Sequence, residues 1–257
     1  MTGLTDELRF AIGTYTRLPV PAPTTLDPGV AGRGLALGPV VGAGLALVSG
    51  LPLLLGDGTP LRQLLLATLT VALAGWLTRA LHWDGLADLA DGLGSRANPD
   101  RARAIMRQSD IGPFGVLTLI LTVTLQVIAT AMLPAGSPAL AGWILAVTLG
   151  RFAIALACGP ASRPARSEGL GALVVGSVTP RRLAVAAMLT AIVALVEAVS
   201  GYVPWAIGLL AAPVAAIVVT VVISRIANRR IGGITGDVLG AIAELSTTAA
   251  LLVLALA

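Results

Sequence analysis

The sequence predicts an all-α, polytopic membrane bundle of about seven transmembrane helices, preceded by an N-terminal amphipathic helix. Three observations lead there. Of 257 residues, 56% are hydrophobic and only 12% are charged, with a mean hydropathy of +0.91. A soluble domain carries about 25% charged residues, and half that share cannot cover a water-facing surface. Thirty glycines, sixteen prolines and only three Phe describe a small-residue interior, which lets helices press together in lipid. Apolar runs of about 20 residues recur along the chain, enough to cross roughly 30 Å of hydrocarbon as helices. A soluble enzyme is excluded.

The elements follow in order. Residues 4–18 interleave Leu4, Leu8, Ile12 and Tyr15 at helical spacing with Asp6, Glu7 and Arg9. That pattern predicts a short amphipathic helix at the membrane interface, ended by Pro19, Pro21 and Pro23. The charges sit where a cleavable leader would need its apolar core, so membrane entry is expected to rely on the internal spans. Apolar runs follow at about 35–55, 62–82, 114–133, 139–158, 183–200, 204–224 and 238–256. The fifth carries Glu197 and the last carries Glu244. The chain reads as one integral membrane domain, with 1–33 as interfacial helix and Pro-rich loop and 34–257 as the bundle.

Arginine placement orients the spans. Arg9, Arg17 and Arg33 precede the first; Arg96, Arg101, Arg103 and Arg107 lie between the second and third. Arg163, Arg166, Arg181 and Arg182 fall between the fourth and fifth, and Arg225, Arg229 and Arg230 between the sixth and seventh. The alternate loops are short and almost free of charge. This predicts an inside N-terminus, an outside C-terminus and a site on the cytoplasmic face of the cell (inner) membrane, where the long polar loops gather.

Net charge is +4, and every basic residue is arginine. No basic stretch is interleaved with aromatics on a soluble face, so nucleic-acid binding is excluded. Cys158 is the only cysteine, which rules out an intrachain disulfide and a thiolate metal cluster. The lipid bilayer is the expected partner; the sequence is silent on oligomeric state.

The chemistry concentrates in His82-Trp83-Asp84-Gly85-Leu86-Ala87-Asp88-Leu89-Ala90-Asp91-Gly92. On a helix Asp84, Asp88 and Asp91 project from one face. Three carboxylates so close repel one another unless a cation lies between them. Oxygen-only donors favour a hard ion, and Mg²⁺ is typically held by one or two carboxylates together with substrate phosphates. The alternative is a solvated helix end whose acids merely face water.

A second acidic pair opens the last span. Gly232-Gly233-Ile234-Thr235-Gly236-Asp237 leads into it, with Glu244 two turns deeper. Intramembrane acids are functional suspects, and glycines before a helix N-terminus can cradle phosphate. The alternative is a helix-cap aspartate and a buried Glu244 paired to Arg151. Among basic residues, Arg107 after the aspartate cluster and Arg151 inside the fourth span are candidate phosphate ligands. Arg166 and Glu168 stand beside Gly169-Leu170-Gly171, and most other loop arginines read as topology signals. His82, the sole histidine, is a candidate base or a structural residue. Together these residues indicate an integral membrane enzyme handling phosphate esters.

The order of motifs says more. Thr16-Arg17-Leu18-Pro19-Val20-Pro21, Arg33-Gly34, His82 to Gly92, Arg103 to Gly115, Glu168-Gly169-Leu170-Gly171 and Gly232-Gly233-Ile234-Thr235-Gly236-Asp237-Val238-Leu239-Gly240 resemble the cobalamin synthase family, the adenosylcobinamide-GDP ribazoletransferases. The resemblance runs from about residue 10 to 245. It implies transfer of the adenosylcobinamide-phosphate group to α-ribazole or its 5′-phosphate, with release of GMP. It also implies Mg²⁺ on Asp84, Asp88 and Asp91 with Asp237. One of the acids, Asp84 among them, or His82 would orient the attacking hydroxyl, Arg151 and Arg107 would meet the phosphates, and Gly232, Gly233, Thr235, Glu168 and Glu244 would bind substrate.

One departure matters. The family's usual Arg/Lys-Asp-Ser-x-x-Gly reads Arg107-Gln108-Ser109-Asp110-Ile111-Gly112 here, so Gln108 stands where the acid is expected. Either Asp110 replaces it, which needs a non-helical turn at 108–111 since on a helix a shift of two points the other way, or that acid is dispensable. Two rivals remain open. A prenyltransferase-like enzyme would need a second aspartate-rich motif, and a secondary transporter would carry acids at the bilayer midplane on broken helices.

Overall fold

The computed structural model describes residues 5–199 and 206–257. The described helices are α1 (Asp6–Tyr15), α2 (Pro28–Ala36), α3 (Gly38–Gly50), α4 (Pro60–Leu77), α5 (Leu81–Gly94) and α6 (Pro99–Ile105). They continue with α7 (Pro113–Met132), α8 (Ser137–Ala157), α9 (Gly169–Val174), α10 (Pro180–Val199), α11 (Ala206–Arg230) and α12 (Gly236–Leu256). A 3₁₀ turn, Leu51–Leu55, extends α3. Prolines open α2, α4, α6, α7 and α10, where the missing N–H would have no helical partner.

Six stretches of the described residues are long and apolar enough to cross a membrane: Gly38–Leu55, Pro60–Leu77, Pro113–Met132, Ser137–Ala157, Gly208–Arg230 and Gly236–Leu256. The protein is a multi-pass membrane protein. The remaining expected span, 183–200, corresponds to α10, whose end borders the residues outside the description. Helices α8 and α12 form the centre and are buried along most of their length. There Gly150 lets the two backbones meet: a Cβ on it would lie 2.7 Å from the Ala243 carbonyl oxygen. Helices α4, α7 and α11 line the outside, and Leu65, Leu69, Leu117, Ile120, Leu121, Val214 and Val218 face outward. With lipid as the solvent, such exposure carries no hydrophobic penalty.

One expectation is corrected and another is extended. The run at 62–82 is not one span. Helix α4 stops at Leu77, Arg79 and Ala80 both adopt left-handed backbone at φ 55°, and α5 starts afresh at Leu81. The break is fixed from outside: the Arg17 N–H donates to the Leu77 carbonyl at 2.7 Å, and the Arg17 guanidinium lies 4.0 Å over the Trp76 ring. From inside, the Trp83 ring packs against Gly75. The N-terminal helix also does more than rest on the interface. Phe10, Ala11 and Tyr15 are buried against α2 and α3, and Asp6 accepts backbone N–H bonds from Thr24 and Thr25, each at 2.9 Å. Leu4 lies outside the described residues.

The break frees α5 to pack against the start of α12. Gly85 and Gly240 make that packing close. A Cβ on Gly85 would stand 2.8 Å from the Asp237 Cα, and one on Gly240 would stand 3.0 Å from the His82 carbonyl oxygen. The acids of α5 and Asp237 are thereby brought to one place.

Candidate active site

Asp84 is exposed and Asp88 half-buried on α5, with Asp237 opposite them in the first turn of α12. Thr235 sets that turn. Its hydroxyl oxygen accepts from the Val238 N–H at 3.3 Å while its O–H donates to Asp237 Oδ2 at 3.1 Å. Burial first, then the charges of Asp84, Asp237 and Asp91, push the Asp88 carboxyl up to about 7. Each of these acids therefore acts on Asp88.

Asp91 is placed differently from its neighbours. Its Oδ2 accepts the Gly112 N–H at 2.7 Å and its Oδ1 accepts the Gly115 N–H at 2.9 Å. It thus satisfies two orphan donors at the start of α7, where a negative charge is also favoured by the helix dipole. Gly112 and Gly115 allow that approach, since a Cβ on either would collide with the carboxylate.

Three cavities converge on Asp84 and Asp237. A cleft of about 540 Å³ is lined by Asp84, Asp88, Arg107, Gln108 and Asp110. A second, of about 190 Å³, is lined by Arg166, Glu168, Thr235 and Asp237. A third, of about 200 Å³, runs inward from Asp84 and Asp237 to His82 and Tyr15. The segment 108–112 between α6 and α7 is irregular, so Gln108 and Asp110 both reach the cleft.

Arg166, which the sequence reading set beside the Glu-Gly-x-Gly motif but ranked below Arg107 and Arg151, stands at the site. It lines the second cavity, donates from Nη2 to the Arg103 carbonyl at 3.1 Å, and keeps a buried Nε without a hydrogen-bond partner among the described residues. Burial, Arg107 and Arg103 lower its pKa while Asp237 opposes them, so two further cations and an acid surround it. Its place two residues before Glu168 in the Glu-Gly-x-Gly motif was the available signal.

Other sequence-predicted residues lie elsewhere. Arg151 and Glu244 pair inside the bundle at 3.8 Å, and both are buried. Glu244 Oε2 accepts from Trp83 Nε1 at 3.1 Å and from Gln126 Nε2 at 2.9 Å. Their small cavity, about 20 Å³, includes none of the aspartates. Gly232 and Gly233 take φ of 86° and 152°, and a Cβ on Gly233 would lie 2.6 Å from the Ala165 nitrogen. They serve a clasp in which Ile234 donates to the Arg163 carbonyl at 2.9 Å and Ala165 donates to Ile234 at 3.1 Å. That clasp brings Glu168 beside Thr235. His82 is buried and stacked on Tyr15, with ring centroids 6.2 Å apart, and its Nδ1 has no hydrogen-bond partner among the described residues. Burial, then the Arg151 charge, holds its pKa well below the ordinary imidazole value, so it is neutral.

Among the described residues, no three His, Cys, Asp or Glu side chains already form a metal cage. The donor chemistry nevertheless fits Mg²⁺, which needs one or two carboxylates and takes its other oxygens from water and phosphate. Asp84 and Asp88, with Asp237 facing them, are oxygen donors held together against their own repulsion.

A role for Asp110 can be tested directly. Asp110→Asn should lower turnover about a hundredfold, the scale on which one acid or base group contributes. Adding Gln108→Asp should restore part of it. Unchanged turnover in the single variant would remove Asp110 from the machinery.

The family description that matches this chain is cobalamin-5-phosphate synthase, over residues 7–255. An adenosylcobinamide-GDP ribazoletransferase from a Nocardioides species is 38% identical over 247 residues, covering 96% of this chain and 97% of that protein. The enzyme of the same name from Frankia casuarinae is 38% identical, covering 97% of this chain and 94% of its own. That from Escherichia coli is 36% identical, covering 93% and 95%. No solved structure matches the chain. With the match spanning all twelve helices described and the carboxylate cleft they enclose, the chain belongs to the cobalamin-5-phosphate synthase family.

Proposed function

We propose that the protein transfers the adenosylcobinamide-phosphate group of adenosylcobinamide-GDP to α-ribazole or its 5′-phosphate, releasing GMP. The observation that carries this reading is the cleft itself: Asp84 and Asp88 face Asp237, with Arg107 and Arg166 on either side. A ribose hydroxyl attacks the cobinamide-bearing phosphorus. A P–O bond forms to that oxygen, the P–O bond to the bridging oxygen breaks, and GMP departs with the bridging oxygen. Asp84, Asp88 and Asp237 would hold Mg²⁺, which when bound neutralises diphosphate charge.

The chain's own groups do the rest. Arg107 and Arg166 are planar forks suited to phosphate oxygens. A carboxylate of the cleft accepts the hydroxyl proton, because His82 is withdrawn into the bundle. Positioning and charge stabilisation are the main demands of such a transfer. The basic loops around 101–107, 163–166 and 229–232 meet at this end, where Arg103 donates to the Ile231 carbonyl and Arg166 to the Arg103 carbonyl. By the positive-inside rule, that end is cytoplasmic and the membrane is the cell (inner) membrane.

Purified protein given adenosylcobinamide-GDP, α-ribazole and Mg²⁺ should form completed corrinoid and GMP, resolved by chromatography. In sealed vesicles, added substrates should react when the membrane is inverted and not when it is right-side-out. Absence of corrinoid product with folded protein would overturn the reaction, and the opposite vesicle preference would overturn the sidedness.

A further inference from the structure

The cavity behind Asp84 and Asp237 has no part in the transfer step just described. It occupies about 200 Å³ within the bundle and ends on Tyr15, 1% exposed, and His82, 5% exposed. Their rings are nearly parallel, 27° apart, and the surrounding walls include Ile154, Val174 and Leu239. Its mouth carries the two carboxylates that face the cleft. A stacked aromatic pair at the buried end, aliphatic walls and two carboxylates toward the cleft describe a pocket for one end of a substrate whose reacting end stays outside.

The chemistry of the candidate occupants separates them. A corrin ring with its side chains is far too large to enter. Guanine would fit by size, but its edge carries several donors and acceptors. Each left unpaired in such surroundings costs about 1–3 kcal/mol. A planar, weakly polar bicyclic base stacks on aromatic rings and leaves one ring nitrogen to satisfy. The buried Nδ1 of His82 has no hydrogen-bond partner among the described residues, so polar capacity remains at that end.

We propose that this cavity is the subsite for the base of the acceptor nucleoside, with its ribose at the mouth beside Asp84. The assignment rests on the transferase reading above and adds to it which substrate enters the bundle, and how deeply. The pocket then selects among acceptors by the bulk and polarity of their base. Val174, on the short helix α9, limits the pocket from the side, and Tyr15 supplies the stacking plane.

The test uses the full-length protein in detergent, with binding of labelled α-ribazole measured beside turnover. Free dimethylbenzimidazole, the base of α-ribazole without its sugar, should compete with α-ribazole and should not compete with adenosylcobinamide-GDP. Val174→Phe should weaken α-ribazole about tenfold, the loss of one well-packed contact, and leave the donor KM unchanged. Tyr15→Phe should retain binding, whereas Tyr15→Leu should weaken it. Should Val174→Phe fail to fold, the competition result in the unmodified protein decides. If the base fails to displace α-ribazole, or displaces the donor, the subsite assignment is wrong even with normal turnover. If α-ribazole binds and is displaced as expected without product, the subsite stands and the transferase reading fails instead.

Discussion

Asp84→Asn should reduce turnover about a thousandfold, on the scale of losing a preorganised electrostatic group, while leaving the fold intact. Asp84 is exposed, lines both the open cleft and the inner cavity, and its carboxylate makes no hydrogen bond among the described residues. Its charge is among those that push the Asp88 carboxyl up to about 7. The stability consequence has a definite sign. In the metal-free protein Asp88 binds a proton in the window between its ordinary value of 3.8 and about 7, where the unfolded chain has released it. Stability from that proton is present at low pH and is lost as pH rises through 7. Neutralising Asp84 relieves the repulsion, so in chelator the variant should melt higher than wild type at pH 8. The difference should narrow near pH 5. Wild-type turnover at low Mg²⁺ in the Asn variant would make Asp84 structural, and an unchanged melting point at both pH values would show that the repulsion is absent.

Arg151→Met should destabilise the protein by about 3–5 kcal/mol, because it strands a buried carboxylate. Arg151 and Glu244 are 3% and 7% exposed. A 3.8 Å separation makes the pair itself modest, so the penalty comes from the orphaned charge rather than from the lost attraction. The double variant Arg151→Met/Glu244→Gln should recover most of the stability. Glutamine keeps an oxygen for the Trp83 and Gln126 donors that now point at Glu244 Oε2. Thermal unfolding in detergent measures both. A double variant as unstable as the single would mean that Arg151 holds the bundle by packing against Gly42 instead. A double variant that is stable but inactive would return Arg151 to the catalytic set.

The sequence made the carboxylates of the cleft legible because their spacing is a helix's own arithmetic. Asp84 and Asp88 are one turn apart wherever the helix goes. It could not say which neighbour each acid meets. Asp91 turns to Gly112 and Gly115 because α7 returns beside α5, and only the path of the loop determines that. The break at 78–80 was hidden for a similar reason. Neither glycine nor proline marks it, and the left-handed pair Arg79 and Ala80 is held by contacts from Arg17 and Trp83, both outside the break. Glu244 and Arg151 show the opposite case. Both were visible as costly intramembrane charges, and the sequence offered either a site or a pair. Glu244 also meets Trp83 and Gln126, from two helices whose positions no periodicity specifies.

The grip of Asp91 on the start of α7 also separates length from placement. Asp91 and Gly112 are 21 residues apart in the chain yet hydrogen-bonded, so the intervening stretch is a closed loop anchored at its base. Extra residues spliced between Ser95 and Pro99 would enlarge only the loop's outer arc. Doubling such a loop costs about 0.6 kcal/mol in closure entropy. The stretch after α6, which carries Arg107 and Asp110, would still be tethered at Gly112. The protein therefore has a natural insertion port next to its chemistry, where a reporter or tag can ride close to the cleft without resetting it.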